Sequence, residues 1–465
     1  MRIVHMLAAA AVASVLAAPA AAQDAAEVPA AVERTLERLR AAALESDHAY
    51  EIVEDLVTSV GPRLAGSEAE ARARDWAVEM LRANRFSTIS VEPFTIAYWD
   101  AVREEAAIVA PAPQPMVIAA LGGSPSTPAG GLEAEIVRFE SLADLQAAPD
   151  SAVAGRIVFI DEHMTRTQDG SGYGFAVRKR GQCAPIAHAK GAAACLIRSV
   201  GTDSHRFAHQ GGFSRQPEGV SLPAAALSPA DADVLARLSA RGGAVRVRLD
   251  IETEMRDDAP SGNVIAEIRG RERPDEIVLL AAHLDSWDLG QGAIDDGAGV
   301  AIITAAARLI RDLPRRPRRT IRILLAGAEE NGIWGGADYA EAHGGEDHII
   351  AAESDFGAGR VYQFRTRFGE HAAPYAAAMQ RQLAPLGILP STAPAFGGAD
   401  ISALRNAGVP VADLGQDGWD YFDLHHTPDD TLDKIDPEAL RQNVAAFAVF
   451  AYLAAEMDWR FAAEQ

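Results

Sequence analysis

Ile277-Val278-Leu279-Leu280-Ala281-Ala282-His283-Leu284-Asp285 decides how this chain folds. The run is apolar without alternation and stops abruptly on a histidine and an aspartate. A strand buried on both faces has this texture, and helices must then cover it above and below. Working outward, residues 264–268 and 320–326 read as further strands, and residues 298–310 and 334–342 as helices. Strands alternating with helices, with no hairpin signal between them, predict an α/β fold with a mainly parallel central sheet flanked by helices. Such a sheet offers a binding site beyond the carboxyl ends of its strands.

The residues able to do chemistry fall at those ends. His283 and Asp285 stand one pleat repeat apart, so imidazole and carboxylate project to the same side. Gly292-Ala293-Ile294-Asp295-Asp296-Gly297-Ala298-Gly299 sets adjacent carboxylates among small residues at a helix start, and neighbouring acids repel unless a cation neutralises them. Ala326-Gly327-Ala328-Glu329-Glu330-Asn331-Gly332 again ends an apolar strand in paired acids. Ala351-Ala352-Glu353-Ser354-Asp355-Phe356 and Leu424-His425-His426-Thr427-Pro428-Asp429-Asp430-Thr431 complete the set. Each motif alone has an ordinary explanation, such as a structural His–Asp pair or an aspartate capping a helix. Together they supply the hard oxygen ligands, imidazoles and base that metal-assisted hydrolysis needs.

In these five motifs, and in Gly61-Pro62-Arg63-Leu64-Ala65-Gly66-Ser67 near the start of the chain, the sequence resembles the zinc exopeptidases with co-catalytic metals, which include bacterial aminopeptidases and glutamate carboxypeptidases. The resemblance implies two Zn²⁺ per subunit bridged by Asp295, with a cis peptide to Asp296. It assigns His283 and Asp355 to one zinc, and Glu330 and His426 to the other. It makes Glu329 the general base and Asp285 the carboxylate that orients the His283 imidazole. Many relatives carry a tyrosine just before the last histidine ligand; His425 stands there in this chain, and its imidazole N–H is expected to take the place of the phenol beside the developing oxyanion. The implied substrates are dipeptides or short peptides, and the family likeness also suggests a homodimer. A non-catalytic peptide-binding or receptor-like protein on the same fold, or a binuclear zinc hydrolase acting on another substrate class, are the competing readings.

The rest of the chain divides around this catalytic part, residues 255–465. Residues 23–105 open with helical patterning and a loop at 61–67, where Ser67 is placed to cap the next helix, followed by a strand over 88–98. Residues 106–254 change to short β-like runs broken by Gly and Pro, with a helix expected over 185–190 and a strand over 194–197. This stretch resembles a β-rich protease-associated domain inserted into the peptidase domain. Arg2, the apolar run from Leu7 to Ala18 and Ala20-Ala21-Ala22 form a signal peptide over residues 1–22, cleaved after Ala22. The mature chain is therefore expected in the periplasm or outside the cell, with no membrane anchor. Cys183 and Cys195 are then permitted a bridge, although both also suit an apolar core.

Composition sets the outer limits. The 465 residues are 48% hydrophobic and 23% charged, which excludes wholesale disorder. Lys+Arg 43 against Asp+Glu 65 leaves a formal charge of −22, a field that disfavours nucleic acid as a partner. Among the remaining polar residues, His205 and His209 lie in polar, glycine-rich surroundings that favour a loop over a third metal site. Arg315-Arg316-Pro317-Arg318-Arg319 reads as a solvated turn, and Asp400 as a helix cap. Asp400 for a substrate amine, and Arg365 or Arg367 for a substrate carboxylate, are the groups available to read peptide ends. Tyr421 and Phe422 are placed near the cleft.

Overall fold

Fourteen strands join into a single sheet in the computed structural model, which describes residues 25–462; the expected signal peptide lies outside them. The deciding strand, Arg273–His283, sits at the centre and runs parallel to Arg319–Ala326 on one side and Asp347–Glu353 on the other. Val411–Gln416 continues the parallel set beside Asp347–Glu353. Both faces of these strands are dry. Val278, Leu280 and Ala282 join Ile321, Ile323 and Leu325 in one core, under the helices Ala30–Leu44, His48–Ser59, Ala298–Arg311 and Pro437–Glu456. Leu279 and Ala281 join Leu324 and Ala326 in the other, against Tyr339 and Leu404 of the helices Trp334–His343 and Ser402–Asn406. Alternate side chains thus enter opposite cores, which is why the strand carries no polar face to betray its period.

Away from this centre the sheet is mixed rather than mainly parallel. Arg246–Ile268 runs antiparallel to Arg319–Ala326, and Val361–Arg367 antiparallel to Val411–Gln416. The partners of these pairings are distant in the chain, so no short turn marks them in the sequence. The longest pairing joins Thr88–Ala110 to Arg246–Ile268, from Thr88 opposite Glu267 to Ala110 opposite Arg246, with register shifts after Ile96, Ala101 and Ile108. This ribbon carries the chain out of the central body and back.

Between its arms, the strands Leu132–Phe139, Ile157–Ile160, Ala194–Arg198 and Ala224–Leu227 pair in parallel. Helices Arg178–Ala189 and Pro229–Ala240 accompany them, so this inserted segment is α/β in texture rather than plainly β-rich. The first of these helices begins at Arg178 and not at Pro185. Pro185 lies inside it and leaves the Gly181 carbonyl without its helical N–H partner. Val158, Ile160, Cys195, Ile197 and Cys183 form a core of the segment's own. Cys183 and Cys195 are joined in a disulfide, with Cα atoms 6.3 Å apart. Replacing both cysteines with alanine should destabilise the inserted segment by about 3 kcal/mol, from the entropy of a loop spanning 12 residues, read as a lowered urea midpoint for its transition.

Candidate metal centre

The parallel strands end together, and their ends carry the motifs. His283 is the last residue of Arg273–His283, Glu329 and Glu330 follow Arg319–Ala326, and Asp355 follows Asp347–Glu353. Asp295 lies where the chain turns into helix Ala298–Arg311, with a cis peptide to Asp296. Two groups of ligating atoms meet at its carboxylate. His283 Nε2 is 3.1 Å from Asp295 Oδ1 and 3.5 Å from Asp355 Oδ1. His426 Nε2 is 3.2 Å from Asp295 Oδ2 and 2.9 Å from Glu330 Oε2. Two ligands each about 2.0–2.1 Å from one zinc stand about 3.3 Å apart at the tetrahedral angle. The spacing within each group therefore suits a zinc-sized ion, and Asp295 lends one oxygen to each.

The charges of the centre call for cations. Burial pushes the Asp285 carboxyl up, and burial with neighbouring acids pushes Glu330 and Asp355 up and Glu329 and Asp296 well up. Asp295 is the exception: burial would raise it, yet the adjoining His283 and His426 imidazoles hold it well below the usual carboxylate range. Burial would lower those two imidazoles, but Asp295 and Asp355 carry His283 well above its ordinary value, and Glu330 and Asp295 bring His426 to about 9. Protons therefore compete with metal for these ligand positions. Asp295 Oδ2 is buried and closes no hydrogen bond. An orphaned carboxylate oxygen among imidazole and carboxylate donors fits a zinc site.

Several buried groups hold the ligands in position. Asp430 accepts from the main-chain N–H of Ile294 at 2.6 Å and of Asp295 at 3.2 Å. Asp296 accepts from the N–H of His283 and of Gly299, tying the central strand to the helix start. Arg63, fully buried, donates to the carbonyls of Leu284, Gln291 and Gly292, so the loop at 61–67 stitches together the segments on either side of the centre. The expected role of Asp285 differs in its atoms. His283 Nδ1 donates to the main-chain carbonyl of Asp285 at 3.1 Å, whereas the Asp285 carboxylate is 3.8 Å away. That carboxylate accepts instead from the N–H groups of Glu329 and Glu330, at 3.0 and 3.2 Å, and so aims both glutamates.

The inserted segment supplies the rest. His426 has a left-handed backbone, φ 62°, a conformation costing roughly 1–2 kcal/mol for a residue with a Cβ. Gln210 holds it there: the Gln210 N–H donates to the His426 carbonyl at 3.0 Å, and His426 Nδ1 donates to the Gln210 carbonyl at 3.1 Å. The second bond fixes the tautomer that presents Nε2 to the metal. His209 sits beside it, donating from Nδ1 to the His425 carbonyl at 2.8 Å while Nε2 meets Asp203 Oδ2 at 2.5 Å. His425 stacks on His426 with ring centroids 3.5 Å apart, and burial, reinforced by His426, depresses its pKa well below the ordinary value. It is a neutral imidazole, with Nδ1 buried and unpartnered.

A family model described as "Peptidase family M28" matches residues 263–451. Carboxypeptidase Q of Bos taurus is 34% identical over 415 residues, covering 89% of this chain and 86% of its own. The chain belongs to peptidase family M28. It is a metallopeptidase, and the carboxypeptidase Q of Mus musculus matches over the same shares at the same identity. A solved structure described as a peptidase M28 precursor from Shewanella amazonensis is 49% identical, covers 93% of this chain and 98% of that one, and superposes with a TM-score of 0.90. BSAP, a zinc aminopeptidase from Bacillus subtilis, shares the fold at 20% identity, with a TM-score of 0.64, 90% of this chain and 98% of that one.

In this M28 chain all five predicted ligands converge, as do Glu329 and His425. Tyr421 and Phe422 line the cavity above them, as placed from the sequence. Asp400 does not cap the helix Ser402–Asn406; Ile401 is at that position, and both Asp400 carboxylate oxygens are buried without a hydrogen-bond partner. Arg319 is not part of a solvated turn. It is buried and donates to the carbonyls of Ala454 and Trp459, anchoring the C-terminal segment. His205 is exposed, while His209 turns inward as a support for the centre. Gln210, Asp430 and Arg63 carry no functional signal in the sequence, since their contacts are to backbone, and Asp203 carries none because its partner His209 is buried by the fold rather than by spacing. Because the surrounding carboxylates raise His283 and His426 above the ordinary imidazole value, zinc must compete with protons there, and its affinity should rise with pH from 6 to about 9. Calorimetric titration of the apoprotein in buffers of differing ionisation enthalpy should show proton release at pH 7.

Proposed function

We propose that this protein is an exported exopeptidase that hydrolyses dipeptides or short peptides with two zinc ions and Glu329 as the general base. The observation that carries the reading is the pair of ligand groups sharing Asp295, opening with Glu329 into a cavity of about 570 Å³ that the inserted segment helps to wall. That volume suits a small ligand rather than an extended chain. His283 and Asp355 would hold one ion, Glu330 and His426 the other, and Asp295 both. When bound there, the metals would supply an acidified water and an electrophile for the scissile carbonyl. Glu329 faces the cavity with its carboxyl pushed up by burial and by Asp355 and Asp400, which suits it to take a proton and return it to the leaving amine. His425, neutral and with an unpartnered nitrogen, offers an N–H for the developing oxyanion.

The inserted segment is read as a protease-associated domain, supported by its place in the chain and its closure over the cavity. Export is supported by the Arg2, Leu7–Ala18 and Ala20–Ala22 pattern and by the Cys183–Cys195 disulfide, which an oxidising compartment preserves; the location is the periplasm or the exterior. No described helix is long and apolar enough to cross a membrane. A homodimer is the assembly the family likeness suggests. Glu329→Gln should retain both metals and lose turnover by roughly three orders of magnitude. Near-normal hydrolysis of a free dipeptide by the correctly metallated variant would remove Glu329 from the role of base. For His425→Ala, metal content should be unchanged while kcat drops by about 10²–10³; an effect confined to metal content would make it only a packing neighbour.

A further inference from the structure

The helical turn Tyr421–Leu424 leads the chain into His425 and His426, and it is only 4 residues long. A single turn of helix is not stable by itself, so its place is set by whatever grips it. The central body offers apolar contact: the Phe356 ring lies 4.8 Å from that of Tyr421 and 5.7 Å from that of Phe422. The polar grip comes from elsewhere. Among the described residues, every hydrogen bond that reaches residues 418–424 from outside 417–427 comes from the inserted segment. The Gly418 N–H donates to the Gln168 carbonyl at 2.9 Å, and the Thr202 N–H to the Phe422 carbonyl at 3.1 Å.

Arg166 is the centre of that grip. Its Nη2 donates to both oxygens of Asp423, at 2.6 and 2.8 Å, and to the Thr202 carbonyl at 3.1 Å. Its Nη1 donates to the Trp419 carbonyl and to Asp420 Oδ1. Thr202 Oγ1 adds a bond to Asp423 Oδ1 at 2.7 Å. The Asp423 side chain is 21% exposed and that of Asp420 80%, so the pair with Asp423 is the one that water screens least. One flat guanidinium thus ties carbonyls and a carboxylate of two distant segments, a geometry that an ammonium does not reproduce. His425 and His426 follow the turn directly. A displaced turn would carry His426 Nε2 away from Glu330 and Asp295, which lie 2.9 and 3.2 Å from it.

We propose that Arg166 and Asp423 are positioning residues for the metal centre: their ion pair fixes the turn that delivers His426, and with it the ion that His426 and Glu330 would hold. This rests on the two-zinc reading above and deepens it. The ion assigned to His283 and Asp355, whose ligands stand at the ends of central strands, does not depend on the pair. The test equilibrates the full chain at buffered free zinc and counts zinc per subunit. In Arg166→Ala one ion should keep its wild-type affinity while the other needs about 10-fold more free zinc, the low end of what losing a group that orients a ligand costs. Arg166→Lys, which keeps the charge without the planar fork, should shift that ion less. Asp423→Asn should match Arg166→Ala, and the double variant should be no worse than either single, as one shared interaction requires. In a His426→Ala background, Arg166→Ala should leave the remaining ion unchanged. Zinc curves that superpose on the wild type, equal weakening of both ions, or an effect that persists without His426 overturns the assignment and leaves the two-zinc reading standing. A wild type that takes a single ion overturns the two-zinc reading; Arg166 then keeps its role if Arg166→Ala weakens that ion, and loses it if not.

Discussion

Mutual repulsion among buried carboxylates is the constraint on which the rest of this structure depends. Asp285, Asp295, Asp296, Glu330 and Asp400 are all buried near one another at the strand ends, with Glu329 and Asp355 beside them. No hydrophobic gain favours such a cluster, and water is kept from relieving it. The fold answers with directed hydrogen bonds, main-chain N–H groups to Asp285, Asp296 and Asp430, and with the His283 and His426 imidazoles set against the acids. Divalent cations are the remaining and largest neutralising charge, and the two ligand groups around Asp295 are spaced to receive them.

This explains why the centre stands on a rigid parallel sheet. A ligand displaced by an ångström would weaken attraction to the metal while leaving repulsion from its neighbours. His283, Glu329, Glu330 and Asp355 therefore leave strands whose alternating side chains are locked in two separate cores. Arg63 serves the same end from outside the sheet, binding three carbonyls of the segments that flank the centre.

The ligands and the strand-to-helix core were legible in the sequence because each left a local pattern: an apolar run that stops, then a histidine or an acid pair. What was not legible is nonlocal. The antiparallel ribbon joins Thr88–Ala110 to Arg246–Ile268 across the entire inserted segment, so no turn announces it. The aim of the Asp285 carboxylate depends on where residues 329 and 330 lie in space. Gln210 and His209 act through main-chain carbonyls, which leave no trace in residue spacing. Pro185 misled in the opposite way: a residue usually found at helix starts sits mid-helix here.

The bond from His426 to Gln210 joins residues 216 apart in sequence. Closing such a loop costs chain entropy, and the bond exists only when the inserted segment and the body that carries His426 are both folded and in contact. His426 is thus poised for metal only when the inserted segment has folded and docked on the body that carries the other ligands. A partly folded chain, with its own peptide bonds most open to attack, has no assembled hydrolytic site. The order of folding itself separates the protein's period of vulnerability from its period of reactivity.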